Sequence, residues 1–99
     1  MRIFFERTGG FTGRKLEGAL DSSALPAAEV RHLRQLLKQS CFFDLPPVLK
    51  SDQPGADRFR YRVTVETEEG IHTVEAGEEA VPVSMRPFLD FLTRSARSR

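Results

Sequence analysis

The sequence lacks most of the features that would indicate a membrane-bound or secreted protein. It has no tryptophan and a single cysteine, Cys41, so no intrachain disulfide can form. Its apolar runs are far shorter than the roughly 20 residues of a membrane-spanning helix. No basic segment followed by an apolar one opens the chain, as a secretory signal would. We therefore expect a cytoplasmic protein with a reduced cysteine and no membrane partner.

The sequence also lacks the spacings that are typical of metal sites and catalytic centres. His32 and His72 are the only histidines, and neither lies in an H-x-x-x-H or H-E-x-x-H motif. Cys41 precedes two phenylalanines and has no histidine placed to activate it, so we expect a buried, inert thiol. The glycine-rich segment 9–13 lies between two predicted strands, whereas a phosphate cradle needs a strand-to-helix turn. We predict no catalytic residue, no metal and no cofactor, and hence no enzyme.

What the chain does have is the composition of a small globular domain. It contains 99 residues, of which 39% are hydrophobic and 29% are charged. This length is near the common domain size and allows one modest hydrophobic core. We expect a single domain over residues 1–99, in a monomeric protein.

A predicted hairpin over residues 58–76 organises the rest of the chain. Large apolar side chains fall at every second position between 59 and 65, which is the period of a half-buried strand. Glycine after two glutamates then predicts a tight turn. We place the two-residue loop at Glu69–Gly70, which pairs Val65 with Val74. One face of this hairpin is apolar, and the other carries charged side chains.

The remaining elements are expected to cover that apolar face. Alternation predicts strands over residues 2–7 and 14–20, and helical spacing predicts helices over 26–39 and from about 82 or 84 to 96. Residues 48–57 show no period and are expected to form an exposed connection. The order is ββαββα, which indicates an α+β fold. Its predicted form is a four-stranded, mostly antiparallel sheet with two helices packed on one face.

The aromatic pair Phe42–Phe43 follows the first predicted helix and precedes two prolines. Proline cannot continue a helix, so the chain must turn at this point. We expect at least one of the two rings to be almost fully buried between the helix and the sheet.

A nucleic-acid-binding face is the least favoured of the alternatives. Arg58, Arg60 and Arg62 alternate with Phe59 and Tyr61, and sheet proteins that bind single strands stack bases on exposed aromatic rings. Alternation places these arginines and aromatic rings on opposite faces, however, and the core needs the aromatic face. The net charge of only +1 is also too small for bulk attraction. We therefore expect no nucleic-acid partner.

Four segments together resemble the emfourin family of small bacterial proteins, in the same order and nearly from end to end. The segments are 9–13 (GGFTG), 42–46 (FFDLP), 54–61 (PGADRFRY) continuing into 63–66 (VTVE), and 86–92 (RPFLDFL). Two departures are mild, because both keep an apolar side chain. Phe91 stands where tryptophan is frequent in the family, and Val63 where leucine is common.

The resemblance implies a function that no single motif in the chain shows. Proteins similar to emfourin, the protealysin inhibitor, are expected to inhibit thermolysin-like zinc metallopeptidases, typically a neighbouring peptidase of the same bacterium. The zinc ion and the H-E-x-x-H motif would then belong to the target. The alternative is a protein-interaction module with a different partner.

Tight inhibition requires a protruding element that is already held in its bound shape, because little ordering entropy is then lost. Two segments suit this role by position. The expected inhibitory loop consists of Gly9, Gly10, Phe11, Thr12 and Gly13. The secondary candidate loop consists of Ser51, Asp52, Gln53, Pro54 and Gly55. Phe11 would suit the pocket in which such peptidases bind a large apolar residue just after the scissile bond; alternatively, its ring folds back into the core.

Overall fold

The computed structural model describes residues 1–9, 15–49 and 59–97. Within these ranges the chain forms five strands and two α-helices, joined in part by short 3-10 turns. The strands are β1 (Arg2–Gly9), β2 (Leu16–Asp21), β3 (Val48–Leu49), β4 (Phe59–Thr67) and β5 (Gly70–Gly77). The helices are α1 (Ala27–Ser40) and α2 (Arg86–Arg97).

The strands of the described residues form one sheet in the order β2-β1-β4-β5-β3. Its pairings are antiparallel except that of β3 with β5. The predicted α+β class and mostly antiparallel sheet are therefore confirmed, but the sheet has five strands where four were predicted. Strand β3 is only two residues long, which is too short to show a period in the sequence. It is held at the sheet edge partly by the Glu75 N–H, which donates to the Pro47 carbonyl at 2.8 Å.

The hairpin of β4 and β5 has a register different from the predicted one. Its two-residue loop is Glu68–Glu69 rather than Glu69–Gly70, and Val63, not Val65, lies opposite Val74. Each residue of β4 pairs with the β5 residue two positions away from its predicted partner. Because side chains alternate with a period of two, every side chain stays on its predicted face.

The turn chemistry explains this difference. The Glu69 N–H donates to the Thr67 hydroxyl at 3.2 Å, so the Thr67 side chain closes the turn at Glu68–Glu69. Gly70 has a φ of 142° and begins β5 just beyond the loop. The glycine therefore supplies an unusual backbone angle at the first strand position and not within the loop.

One buried cluster joins the inner face of the sheet to the apolar stripes of both helices. The predicted stripes are confirmed, with Leu33, Leu36 and Leu37 buried on α1 and with Met85 buried just before α2. The two helices thus cover the same face of the sheet. The buried members are Ile3, Phe5, Leu33, Leu36, Leu37, Phe42, Val63, Val65, Val74, Ala76, Val81, Met85, Phe88, Leu89 and Leu92.

Helix α1 ends at a residue with left-handed backbone angles, Cys41, whose φ is 52° and ψ 39°. Its N–H donates to the Lys38 carbonyl at 3.2 Å. The expectation of a buried Cys41 thiol is wrong, because this side chain is exposed. In this cap conformation the chain turns immediately toward the core, so it is the following residue, Phe42, that enters the core.

Helix α2 begins later than predicted, at Arg86, because a 3-10 turn over Val83–Met85 precedes it. Pro87 is therefore the second residue of the helix, where its missing N–H has no intrahelical partner to lose. At the other end of α2, Ala96 lies close to β2: a Cβ added to Gly18 would be 3.2 Å from the Ala96 Cβ. The absence of a side chain at Gly18 lets α2 and β2 pack closely against each other.

Phe42 closes the core at the end of α1. It is completely buried, and its ring makes edge contacts with the rings of Phe88, His72 and Phe43 at centroid distances of 5.9, 5.4 and 5.6 Å. Phe43 is 51% exposed. The expectation that at least one ring of the pair is buried is confirmed.

We predict that Phe42→Ala lowers the free energy of unfolding by about 3–5 kcal/mol, because it leaves a cavity among rigid neighbours. Chemical denaturation measures this loss. Phe43→Ala is the matched control and should cost no more than about 1.5 kcal/mol, the scale of one aromatic pair contact. Equal losses for the two variants would contradict the assignment of Phe42 as the core residue.

Candidate functional site

Both predicted loops leave the sheet at the same end. Strand β1 ends at Gly9, and β4, which is antiparallel to it, begins directly opposite at Phe59. Strand β3 ends at Leu49, next to Ala76 near the end of β5. Segments 10–14 and 50–58 are therefore joined to one end of the sheet. We call this end the loop edge; its described residues are Gly9, Leu16, Leu49, Phe59 and Gly77.

One of the predicted site residues lies within the described part of the chain. Gly9 ends β1 with a φ of 97°, an angle in the left-handed region that favours glycine. The other predicted residues lie outside the described residues. They are Gly10, Phe11, Thr12 and Gly13 of the inhibitory loop, and Ser51, Asp52, Gln53, Pro54 and Gly55 of the secondary loop.

Three side chains form a cluster beside the loop edge: Arg7, Phe59 and Tyr61. The guanidinium carbon of Arg7 lies 4.2 Å from the centroid of the Phe59 ring, which is within the range of a cation–π contact. Arg7 also lies opposite Tyr61 in the register of β1 and β4. We call these residues the Arg7 cluster. All three are half-buried.

The Arg7 cluster lies on the inner face of the sheet, in line with the core positions. Sequence alternation placed Phe59 and Tyr61 on this face. It did not single out Arg7, although Arg7 continues the every-second-position pattern of Ile3 and Phe5. This continued alternation is the sequence signal from which the inward-facing position of Arg7 could have been predicted. A charged residue at the end of an apolar strand pattern is ordinarily interpreted as solvent-exposed.

The electrostatic surroundings of Tyr61 are defined by neighbours from several elements. Burial raises the pKa of the Tyr61 phenol above its ordinary value, and the carboxylate of Glu78 raises that pKa further. Arg7 opposes both through its charge, whereas Asp90 adds a small upward contribution to the same pKa.

The outer face of the sheet carries ordinary cross-strand pairs. Arg62 and Glu75 lie directly opposite each other, with 3.3 Å between Nε and Oε1. The Thr64 and Thr73 hydroxyls are 2.9 Å apart. Lys15 lies within 3.4 Å of Glu6. These pairs lie on the side of the sheet away from Phe59 and Tyr61.

The two histidines lie at the surface or at its rim. His32 is exposed and contacts the edge of Phe91 at 5.6 Å. The Nε2 of His72 lies 2.9 Å from the Leu45 carbonyl, to which it can donate. Across residues 1–9, 15–49 and 59–97, no group of three or more His, Cys, Asp or Glu side chains is placed to hold a metal ion. Over the same ranges, no helix is long and apolar enough to cross a membrane.

We predict that Tyr61 ionises at a higher pH in the folded protein than in the unfolded chain. It is the only tyrosine, and the chain has no tryptophan, so near-ultraviolet phenolate absorbance reports on this side chain alone. Because the folded-state pKa is raised, the stability that Tyr61 contributes is fully present below about pH 10 and is lost as pH rises through the folded-state pKa.

Glu78→Gln should lower the pKa of Tyr61 by removing a nearby negative charge. Glu69→Gln is the matched control, because it removes the same charge at the opposite end of the sheet. A Tyr61 titration that coincides in the folded and urea-unfolded chain would contradict this description of the cluster.

Among three comparisons with known proteins, the match to a family model shows the family. The family model described as Emfourin matches residues 5–93. Among solved structures, the chain is similar to emfourin (M4in) from Serratia proteamaculans, described as an M4 family peptidase inhibitor. That match has a TM-score of 0.47 and 17% sequence identity, and it covers 95% of this chain and 87% of the other. The search of curated proteins gives no significant match. Because the family match spans far more than half of its residues, this chain belongs to the emfourin family.

Proposed function

We propose that this chain is a proteinaceous inhibitor of a thermolysin-like zinc metallopeptidase of the M4 family, whose active-site cleft it blocks without catalysis. The observation that carries this proposal is membership of the emfourin family over residues 5–93. This is a family of peptidase inhibitors and not of enzymes. The Serratia proteamaculans emfourin is itself described as an M4 family peptidase inhibitor. We expect the target to be a protealysin-like enzyme of the same bacterium, in the cytoplasm.

The loop edge is the surface that best suits this function. Gly9 and Phe59 are paired in the middle of the sheet, so the bases of both loops are fixed by regular strands. A loop whose base is held in this way loses less conformational entropy on binding. The inhibitory loop 9–13 is the proposed principal contact, and residues 51–55 form the proposed secondary contact.

Within the inhibitory loop, Phe11 is the proposed anchor. M4-family peptidases related to thermolysin favour a large apolar residue just after the scissile bond, and Phe11 is flanked by glycines that allow close backbone approach. An aromatic anchor in a desolvated pocket is typical of an interface hot spot.

The direct test of the proposed function is titration of the purified chain against a set of protealysin-like peptidases, with a serine peptidase as the negative control. We expect competitive inhibition of at least one M4 enzyme and none of the serine peptidase. Absence of inhibition at micromolar concentration across several such enzymes would contradict the proposal. A protein-interaction module with another partner would then be the better hypothesis.

We predict that Phe11→Ala weakens inhibition by at least about 2 kcal/mol, or roughly thirtyfold in affinity, because a hot-spot side chain is lost. Thermal stability should stay within about 0.5 kcal/mol of wild type, as is usual for surface substitutions. Phe43→Ala removes an exposed ring far from the loop edge and should leave inhibition unchanged. Inhibition constants and melting curves measure both effects.

If Phe11 instead packs in the core, Phe11→Ala should lower stability by roughly 3 kcal/mol or more. Gly10→Val is a second test of the loop's role in inhibition. A β-branched side chain disfavours positive φ and would block close approach of the loop backbone to the peptidase. Unchanged inhibition and unchanged stability in both variants would remove the glycine-rich loop from the mechanism. The contact would then be assigned to residues 51–55.

A further inference from the structure

The outer face of the sheet is open to solvent among the residues that the structure describes. Both helices pack on the inner face, and Phe4 stands near the centre of the outer one with 45% of its surface exposed. An antiparallel sheet can keep one face in water, so exposure alone does not indicate a partner. The arrangement of charges around Phe4 is the observation that does.

The residues around Phe4 form a block in which the charges alternate. In the pairing of β1 with β4, Phe4 lies opposite Thr64, and this central row is uncharged. On each side of the row, one strand carries a positive side chain and the other a negative one, and the order of the signs is reversed between the two sides. The residues that lie opposite each other are Arg2 and Glu66 on one side, and Glu6 and Arg62 on the other. We call these six residues the central block.

The central block is complementary to a second copy of itself. A two-fold axis that runs parallel to the strands, between β1 and β4, places β1 of each copy over β4 of the other. Each positive residue of the block then faces a negative residue of the second copy. Stacked sheets keep their strands within about 30° of each other, so the centre of the block stays in register despite the twist.

The shape of the outer face favours this axis over a two-fold axis across the strands. The axis across the strands would set the two protruding Phe4 rings against each other and hold the sheets apart. The axis along the strands places each Phe4 ring over the short side chain of Thr64. At Thr64 the surface has a shallow concavity of about 470 Å³, whose lining includes Glu6, Ala19, Arg62 and Thr64. A protruding ring thus meets a recess, and does so twice in the dimer.

The charged side chains of the block remain accessible to a second copy. Those of Arg2 and Arg62 are 63% and 58% exposed, although each lies near a carboxylate of its own chain. The separations are 3.7 Å from the Arg2 Nε to Asp21 and 3.3 Å from the Arg62 Nε to Glu75. Exposed ion pairs of this kind contribute little to stability, so they can be exchanged or shared across an interface at small cost. The net charge of +1 adds little repulsion between copies.

We propose that the outer face of the sheet binds a second copy of this chain, in a symmetric dimer in which β1 of each copy lies over β4 of the other. In place of the monomer expected from the sequence, this predicts a monomer–dimer equilibrium. Four long strands give a face of roughly 20 Å by 25 Å. Two such faces together bury about 1,000 Å², which is the size of a weak, transient interface.

The first test is sedimentation equilibrium of the purified chain at concentrations up to about 1 mM, in low and in high salt. We predict a reversible dimer whose dissociation constant rises with salt concentration, because opposite charges meet across the interface. A chain that stays monomeric at about 1 mM in low salt would overturn the proposal. A dissociation constant that does not rise with salt would overturn the pairing of charges.

Phe4→Thr tests the central contact, because it keeps a β-branched side chain in the strand and removes the protruding ring. The dissociation constant should rise at least about fivefold, the effect of a side chain at the threshold of a hot spot. Val83→Thr is the matched control, since Val83 is 82% exposed and packs with the helices on the other side of the sheet. It should leave dimerisation unchanged, and both variants should melt close to wild type. An unchanged dissociation constant in Phe4→Thr would contradict the arrangement.

The sharpest experiment mixes two charge-reversal variants, Arg2→Glu and Glu66→Arg. Alone, each variant brings like charges together at two places in the dimer, and its dissociation constant should rise at least about tenfold. In an equimolar mixture, positions 2 and 66 of the two variants carry opposite charges wherever they meet, so a mixed dimer should form nearly as tightly as the wild-type dimer. A mixture that dimerises as weakly as the separate variants would overturn the proposed axis.

Glu29→Arg is the control for charge reversal itself. Glu29 is exposed in the first turn of α1, on the other side of the sheet, so this variant makes the same charge change away from the outer face. It should leave the dissociation constant unchanged; an increase as large as that in Glu66→Arg would assign the effect to net charge and overturn the pairing. All these measurements use the free chain, so their outcome is independent of whether the chain inhibits an M4 peptidase.

Discussion

The antiparallel pairing of β1 with β4 is the constraint on which the rest of the structure depends. It runs without interruption from Arg2 opposite Glu66 to Gly9 opposite Phe59. Because side chains alternate along both strands, this one register places the apolar residues of β1 and β4 on the face that the helices cover. The same register brings the bases of the two candidate loops together. A slip of one residue would turn every apolar side chain outward and would also separate the loop bases. Folding and presentation of the loop edge therefore share one structural requirement.

The aromatic closure of the core and the proposed binding surface lie at opposite ends of this sheet. At the end away from the loop edge, Phe42 seals the core, and the Nε2 of His72 hydrogen-bonds to the chain just after it. At the loop edge, the Arg7 cluster is only half-buried and includes the cation–π contact of Arg7 with Phe59. Loops on a rigid scaffold commonly carry function because they can vary without loss of the core. If the loop edge is the binding surface, as proposed, substitutions there should change affinity with little change in the free energy of unfolding.

The sequence predicted those parts of the fold that depend on periodic patterns. Alternation identified the central hairpin, and helical spacing identified the buried stripes of both helices, because burial of one face imposes those periods. The errors occurred where local backbone chemistry decides the result. The hairpin loop was misplaced by one residue because the Thr67 side chain closes the turn before Gly70. Cys41 is exposed because it caps a helix with left-handed angles, which its residue type does not indicate. Strand β3 was missed because two residues carry no period.

The segments that carry the family resemblance fall into two groups, those that pack in the core and those that adjoin the loop edge. Segments 42–46, 63–66 and 86–92 each contribute side chains to the buried cluster, so packing alone explains why such residues are needed there. The contributing side chains are Phe42, Val63, Val65, Phe88, Leu89 and Leu92. The remaining segments of the resemblance, 9–13 and the part of 54–61 that precedes β4, adjoin the loop edge through Gly9 and Phe59. Under the proposed function, binding to a common class of partner is the requirement that would act on these residues. The pairing of β1 with β4 would serve that requirement as well as folding, because the register that buries the core also brings the bases of both candidate loops together.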